Sequence, residues 1–161
     1  MPGANREKSS ARDCACRLLG RRDHSRRELF LKLKKRGYGE AEIVQALQKL
    51  EEEGLLDDTH YARKWLHHFR ENKPLGGTRV VAELARRGVD IAVARELVAR
   101  EYPREEERAL LLQAARKEVG KRGIKTLEEA LSRVGPFLAR RGFGGEDIAA
   151  ALERVLTEGD P

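Results

Sequence analysis

"LKKRGYG" (33–39), "LARRGVD" (84–90) and "LARRGFG" (138–144) are three forms of one phrase: a leucine, a basic pair, a glycine and, after it, an apolar residue. A glycine just past a helix end accepts the left-handed backbone conformation, and cations in the last turn complement the helix dipole. The Schellman form of such a stop also brings the residue after the glycine against the one four before it. Here that predicts contacts of Tyr38 with Leu33, Val89 with Leu84 and Phe143 with Leu138. Each copy therefore reads as the end of a helix. Aligned on Gly37, Gly88 and Gly142, the copies stand 51 and 54 residues apart. Leu29, Val80 and Val134 then fall in register, as do Ile43, Ala94 and Ile148. A period of this size predicts a helical array in which each unit buries its face against the next.

Working outward, each unit divides into three helices. In the first, Ala11–Arg21 precedes a turn in which Ser25 is a helix N-cap and Glu28 completes a capping box. The next helix runs to Arg36, and the third spans about Glu40–Glu53 before Gly54. Asp57 and Asp58 then cap a long helix to about Asn72, and "NKPLGGT" breaks the chain. Beyond it, the pattern predicts helices over Thr78–Arg87, Ile91–Arg100, Pro103 to Gly120, Thr126–Arg141 and Glu146–Leu156. The expected fold is all-α: three tandem three-helix, helix-turn-helix-like repeats at 11–56, 57–101 and 102–157, forming an elongated, curved array. Residues 1–10 read as a disordered basic tail and 158–161 as a second short tail.

The charge is unevenly placed. The net +6 of the 161 residues resolves into +8 over 1–36, −6 over 37–58, +5 over 59–100 and −1 over 101–161. Two basic blocks flanking an acidic one favour a polyanionic or acidic partner. With aromatics at only 5% of the chain and charged residues at 37%, the core is thin and built on Leu, Ala and Val. No apolar run approaches the length of a membrane span, so no membrane is expected as a partner. Cys14 and Cys16 stand too close to staple a fold, which suits a reducing, cytoplasmic setting. The lack of a heptad seam makes a monomer the expected state.

Chemistry-bearing patterns are sparse. His60 and His67 share a helix face without the intervening residues of a zincin site, and the cysteines lack zinc-knuckle spacing, so no metal is expected. "KPLGGTR" (73–79) is glycine-rich before a helix but lacks P-loop spacing. It reads as a flexible connection, with phosphate capture at the helix start as the other reading. Tyr61, Trp65 and Phe69 recur every four residues, the spacing of a packing stripe. No nucleophile has a base and orienter beside it, and no cofactor motif is present, so an enzyme is not expected. The helices after the glycine stops begin "GEAE", "DIAV" and "GGED", which lack the Arg, Asn and Gln of sequence-specific base readers.

Three segments carry a resemblance: "RDHSRREL" (22–29), "LEEEGLLDDTHYARKW" (50–65) and "GTRVVAELARRGV" (77–89). With the repeats, they resemble the RecX family of bacterial recombination regulators over about residues 11–157. The resemblance implies a helical protein that binds the RecA filament on DNA and inhibits its ATPase, strand exchange and growth. Single- or double-stranded DNA is the further partner it suggests. Arg26, Arg27, Lys34, Lys35, Arg36, Arg63, Arg70, Lys73, Arg79, Arg86 and Arg87 are then the candidate contacts with RecA or DNA. Asp57 and Asp58 match the family's acidic pair, though helix capping already accounts for them. A direct DNA binder and a helical adaptor for another protein are the rival readings.

Overall fold

In the computed structural model, residues 9–159 are described, and every regular element among them is a helix. In chain order these are α1 (Ala11–Leu19), α2 (Arg26–Lys35), α3 (Glu40–Glu52), α4 (Asp58–Asn72) and α5 (Gly77–Arg86). They continue as α6 (Ile91–Glu101), α7 (Arg104–Arg122), α8 (Leu127–Arg133), α9 (Gly135–Arg140) and α10 (Gly145–Glu158).

The glycine stops after α2 and α9 are formed as the spacing predicts, and Gly88 shares their left-handed backbone. Gly37, Gly88 and Gly142 have φ of 85°, 92° and 87°, a region that side-chain-bearing residues enter only with strain. After α2, the Tyr38 N–H donates to the Leu33 carbonyl at 3.3 Å and the Gly37 N–H to Lys34 at 2.9 Å. After α9 the same pair of bonds links Phe143 to Leu138 at 3.4 Å and Gly142 to Ala139 at 2.9 Å. These two bonds satisfy carbonyls that a helix end leaves without partners. Tyr38 packs on the core that holds Leu33, and Phe143 and Leu138 share another.

By packing, the chain divides into two compact units. One takes the described residues to Tyr61 together with Arg87–Val89; the other takes Ala62–Arg86 and the chain from Asp90 onward. Residues of the expected middle repeat, 57–101, are thus shared between them. In the first unit α1, α2 and α3 close on Ala15, Leu29, Leu33, Ile43, Leu47 and Leu50, all fully buried. In the second, α10 packs against α7, α8 and α9 around Leu111, Ala115, Val134, Leu138 and Leu152. The apolar positions recur at three- and four-residue steps, so each helix buries one stripe and leaves its charges outside.

Three differences from expectation have local causes. The helix expected over Thr126–Arg141 is two, α8 and α9, because Pro136 has no N–H to give the Ser132 carbonyl. The expected tail ends sooner than residue 10. Ser10 caps α1, accepting the Asp13 N–H at 3.1 Å, and the Ser9 carbonyl accepts the Tyr38 hydroxyl at 2.7 Å. The rest of that tail, residues 1–8, and residues 160–161 of the other lie outside the described residues. At the C-terminal end α10 continues through Thr157 and Glu158, two residues past the expected stop.

Candidate functional site

The acidic block at 51–58 is largely consumed inside the first unit. Arg12 pairs with Glu53 at 2.7 Å and Arg26 with Glu51 at 3.0 Å. Asp57 caps α4, accepting the Thr59 and His60 N–H groups at 2.8 and 3.0 Å. Asp58 reaches the other way and accepts the first N–H of α2, from Arg26, at 2.7 Å. The acidic pair therefore caps two helices rather than one. Burial raises the Asp58 carboxyl above its ordinary range, with the Arg26 N–H pulling against it.

Before α2 lies a tighter cluster. Ser25 accepts the Glu28 N–H at 3.2 Å, as a capping box requires, but the Glu28 carboxylate faces elsewhere. It receives His24 Nδ1 at 3.0 Å, Lys32 at 3.1 Å and the Arg22 guanidinium. Burial alone would push Glu28 up, yet these hydrogen bonds outweigh it and hold the carboxyl at about 2. The buried His24 ring is pushed below its ordinary value by desolvation, against the pull of Glu28.

The glycine-rich turn at 73–79 is tied down, where sequence reading expects a flexible connection. The Gly76 N–H donates to the Arg141 carbonyl at 2.8 Å, and the Tyr102 hydroxyl donates to the Leu75 carbonyl at 2.7 Å. The Gly77 N–H, the one a phosphate would seek, donates to Glu107 at 2.9 Å. A carboxylate from α7 thus occupies the start of α5, which removes the phosphate reading. The aromatic stripe is packing: Tyr61 and Phe69 are buried, and Trp65, half-buried, lies 5.8 Å from Phe69 between ring centroids.

The candidate cations fall into two sets. The first unit holds Arg26, Arg27, Lys34, Lys35, Arg36 and Arg87; the second holds Arg63, Arg70, Lys73, Arg79 and Arg86. Most of the second set is paired. Arg63 meets Glu101 at 2.8 Å, while Arg79 and Arg86 converge on Glu83 at 3.0 and 2.9 Å. Arg70 grips Glu106 at 2.7 and 2.9 Å, reaches the Glu101 carbonyl and lies over the Tyr102 ring, which makes it a brace for the α6–α7 turn. Lys73 is exposed after α4. In the first unit, Lys34 meets Glu40 and Arg36 curls back to the Lys32 carbonyl at 3.3 Å. Arg87 is half-buried, and its carbonyl accepts the Ser25 hydroxyl at 2.6 Å. Arg27 and Lys35 are exposed and have no ion pair among the described residues.

The neighbours that consume these cations were the hardest part to read from sequence. Glu83 lies at helical spacing from Arg79 and Arg86 and could have been found. Glu101 and Glu106 lie more than thirty residues from Arg63 and Arg70, so only the fold brings them close.

This is an all-helical protein of glycine-stopped repeats carrying charged, mostly self-paired surfaces. The model of the RecX first three-helix domain matches residues 11–50. The chain is 34% identical to the regulatory protein RecX of Pelodictyon phaeoclathratiforme over 147 residues, 90% of this chain and 88% of that one. With the RecX of Chromohalobacter salexigens it shares 36% over 146 residues, 91% and 93% of the two chains. The crystal structure of RecX from Lactobacillus salivarius superposes with a TM-score of 0.81 at 18% identity, covering 90% of this chain and 94% of that one. The chain belongs to the RecX family of regulatory proteins.

Proposed function

We propose that this protein binds the filament RecA forms on DNA and inhibits its ATP hydrolysis, strand exchange and growth. It does so as a non-catalytic regulator of recombination and repair in the cytoplasm. The observation that carries this reading is the kinship with RecX regulators along about nine-tenths of both chains. The exposed Arg27 and Lys35 agree with it, because charge without an ion pair keeps its full attraction for an acidic or phosphate-bearing partner. Among the described residues, no helix is long and apolar enough to cross a membrane.

The test is DNA-dependent ATP hydrolysis by the cognate RecA with this protein added at substoichiometric amounts. A fall in hydrolysis supports the proposal, and an unchanged rate rejects it. Reversing charge at Lys35 and Arg36 should weaken inhibition more than reversing Arg86, whose guanidinium is already held by Glu83. Direct DNA binding is separated by comparing bare DNA with RecA-coated DNA of equal length. A preference for bare DNA would favour that second reading.

A further inference from the structure

The exposed face of α2 differs in kind from a phosphate-binding surface. Leu29 and Leu33 turn inward and are fully buried. Leu31, between them in sequence, faces out and is 55% exposed. Arg27 lies four residues before it and Lys35 four after, so the three follow one another along the same side of the helix. Both cations are exposed and without an ion pair among the described residues, and Lys34 stands on the same side. Gly88 lies close beside Arg27: a Cβ built on that glycine would lie 3.0 Å from the Arg27 Cβ.

The same register in the other repeats carries nothing comparable. At the three positions of Arg27, Leu31 and Lys35, α5 has Thr78, Ala82 and Arg86, and Arg86 is bound to Glu83. The third repeat has Ser132, Pro136 and Arg140 there. An apolar residue exposed at a helix centre loses free energy to water and gains nothing from a phosphate. It gains from an apolar side chain on a partner surface, and the flanking cations select one that is acidic at its rim.

We infer that the Arg27–Leu31–Lys35 face of α2 docks on protein, at an acidic patch with an apolar centre, and that Leu31 is its anchor. The inference rests on the filament reading above and assigns this face to the filament's protein subunits rather than to its DNA. The test measures binding of Leu31→Ser, Leu31→Met, Arg27→Glu and Lys35→Glu proteins to RecA-coated and bare single-stranded DNA of equal length. Ala82→Ser serves as the matched control in α5, and circular dichroism checks helicity.

Leu31→Ser should weaken binding to coated DNA about tenfold, the effect of withdrawing roughly half a leucine side chain from an interface. It should leave bare-DNA binding unchanged, and Leu31→Met should bind within about twofold of the parent. Arg27→Glu and Lys35→Glu should also weaken binding to coated DNA, more so at low salt. If Leu31→Ser binds coated DNA like the parent while the charge reversals weaken both substrates, the face is a phosphate contact and the inference is overturned. If the parent protein itself shows no preference for coated DNA, the filament reading falls and the inference with it.

Discussion

The stop after α2 and the stop after α9 share a backbone and differ in employment. Both close with the same two hydrogen bonds and a glycine near φ 85°. After α2 the basic residues Lys34, Lys35 and Arg36 are exposed, as is Gly37 itself. After α9, Arg141 lies over the Phe137 ring at 4.4 Å and its carbonyl accepts the Gly76 N–H. Gly142 is walled in, with the Arg79 Cβ only 2.4 Å from where its own Cβ would stand. A repeated phrase thus solves one local problem, ending a helix, and the fold then spends its charges differently. One copy is a joint; the other faces outward.

Substitution at the glycines tests the joint most severely. Gly76→Ala places a Cβ 2.1 Å from the Gly142 carbonyl oxygen, a backbone atom that cannot swing aside. It should cost about 3 kcal/mol or more in urea unfolding. Gly37→Ala meets chiefly the penalty of the left-handed backbone and should cost about 1 kcal/mol. Equal losses would mean that the close packing of Gly76 on the α9 stop adds nothing to stability.

Glu28→Gln should lower stability by about 2 kcal/mol at neutral pH and flatten its acid dependence. The Glu28 carboxyl falls from an unfolded value near 4.5 to about 2 in the folded chain. Its contribution is therefore complete above about pH 4.5 and disappears as pH falls toward 2. His24, also depressed, shares that sign: its contribution is lost as pH falls below the unfolded histidine value of about 6.5. Unfolding midpoints from pH 7 to pH 3 for the parent and variant would show the difference, and parallel curves would sink the assignment.

Tyr102→Phe removes the donor to the buried Leu75 carbonyl and should cost about 1–2 kcal/mol, read as a lower denaturation midpoint. The smallest effect is expected for Arg63→Ala, whose pair with Glu101 is about half exposed. It should stay within about 0.5 kcal/mol of the parent by the same measurement.

How much of this was legible follows from the range of each interaction. The Ser25 cap, the Asp57 cap and the glycine stops depend on neighbours within five residues, so spacing alone revealed them. The break between α8 and α9 is equally local, since it turns on the missing N–H of Pro136. The turn at 73–79 was different. Its glycines look loose in sequence because what holds them, Tyr102, Glu107 and Arg141, lies 27 to 65 residues further on. For the cations, composition located the excess charge and could not say which part of it the chain neutralises. Arg27 and Arg70 look alike in sequence; one is exposed and the other braces a turn.

The ties on the 73–77 turn also set an order of events during synthesis. When α5 leaves the ribosome, the groups that satisfy its first turn have not yet been made. Glu107 follows thirty residues later, and Arg141 more than thirty after that. Contacts of such separation form late and lower the folding rate. The second unit therefore closes as a whole only once the chain has passed Gly142, and a nascent chain halted in α6 would present an unfinished α5 to the cell's proteases.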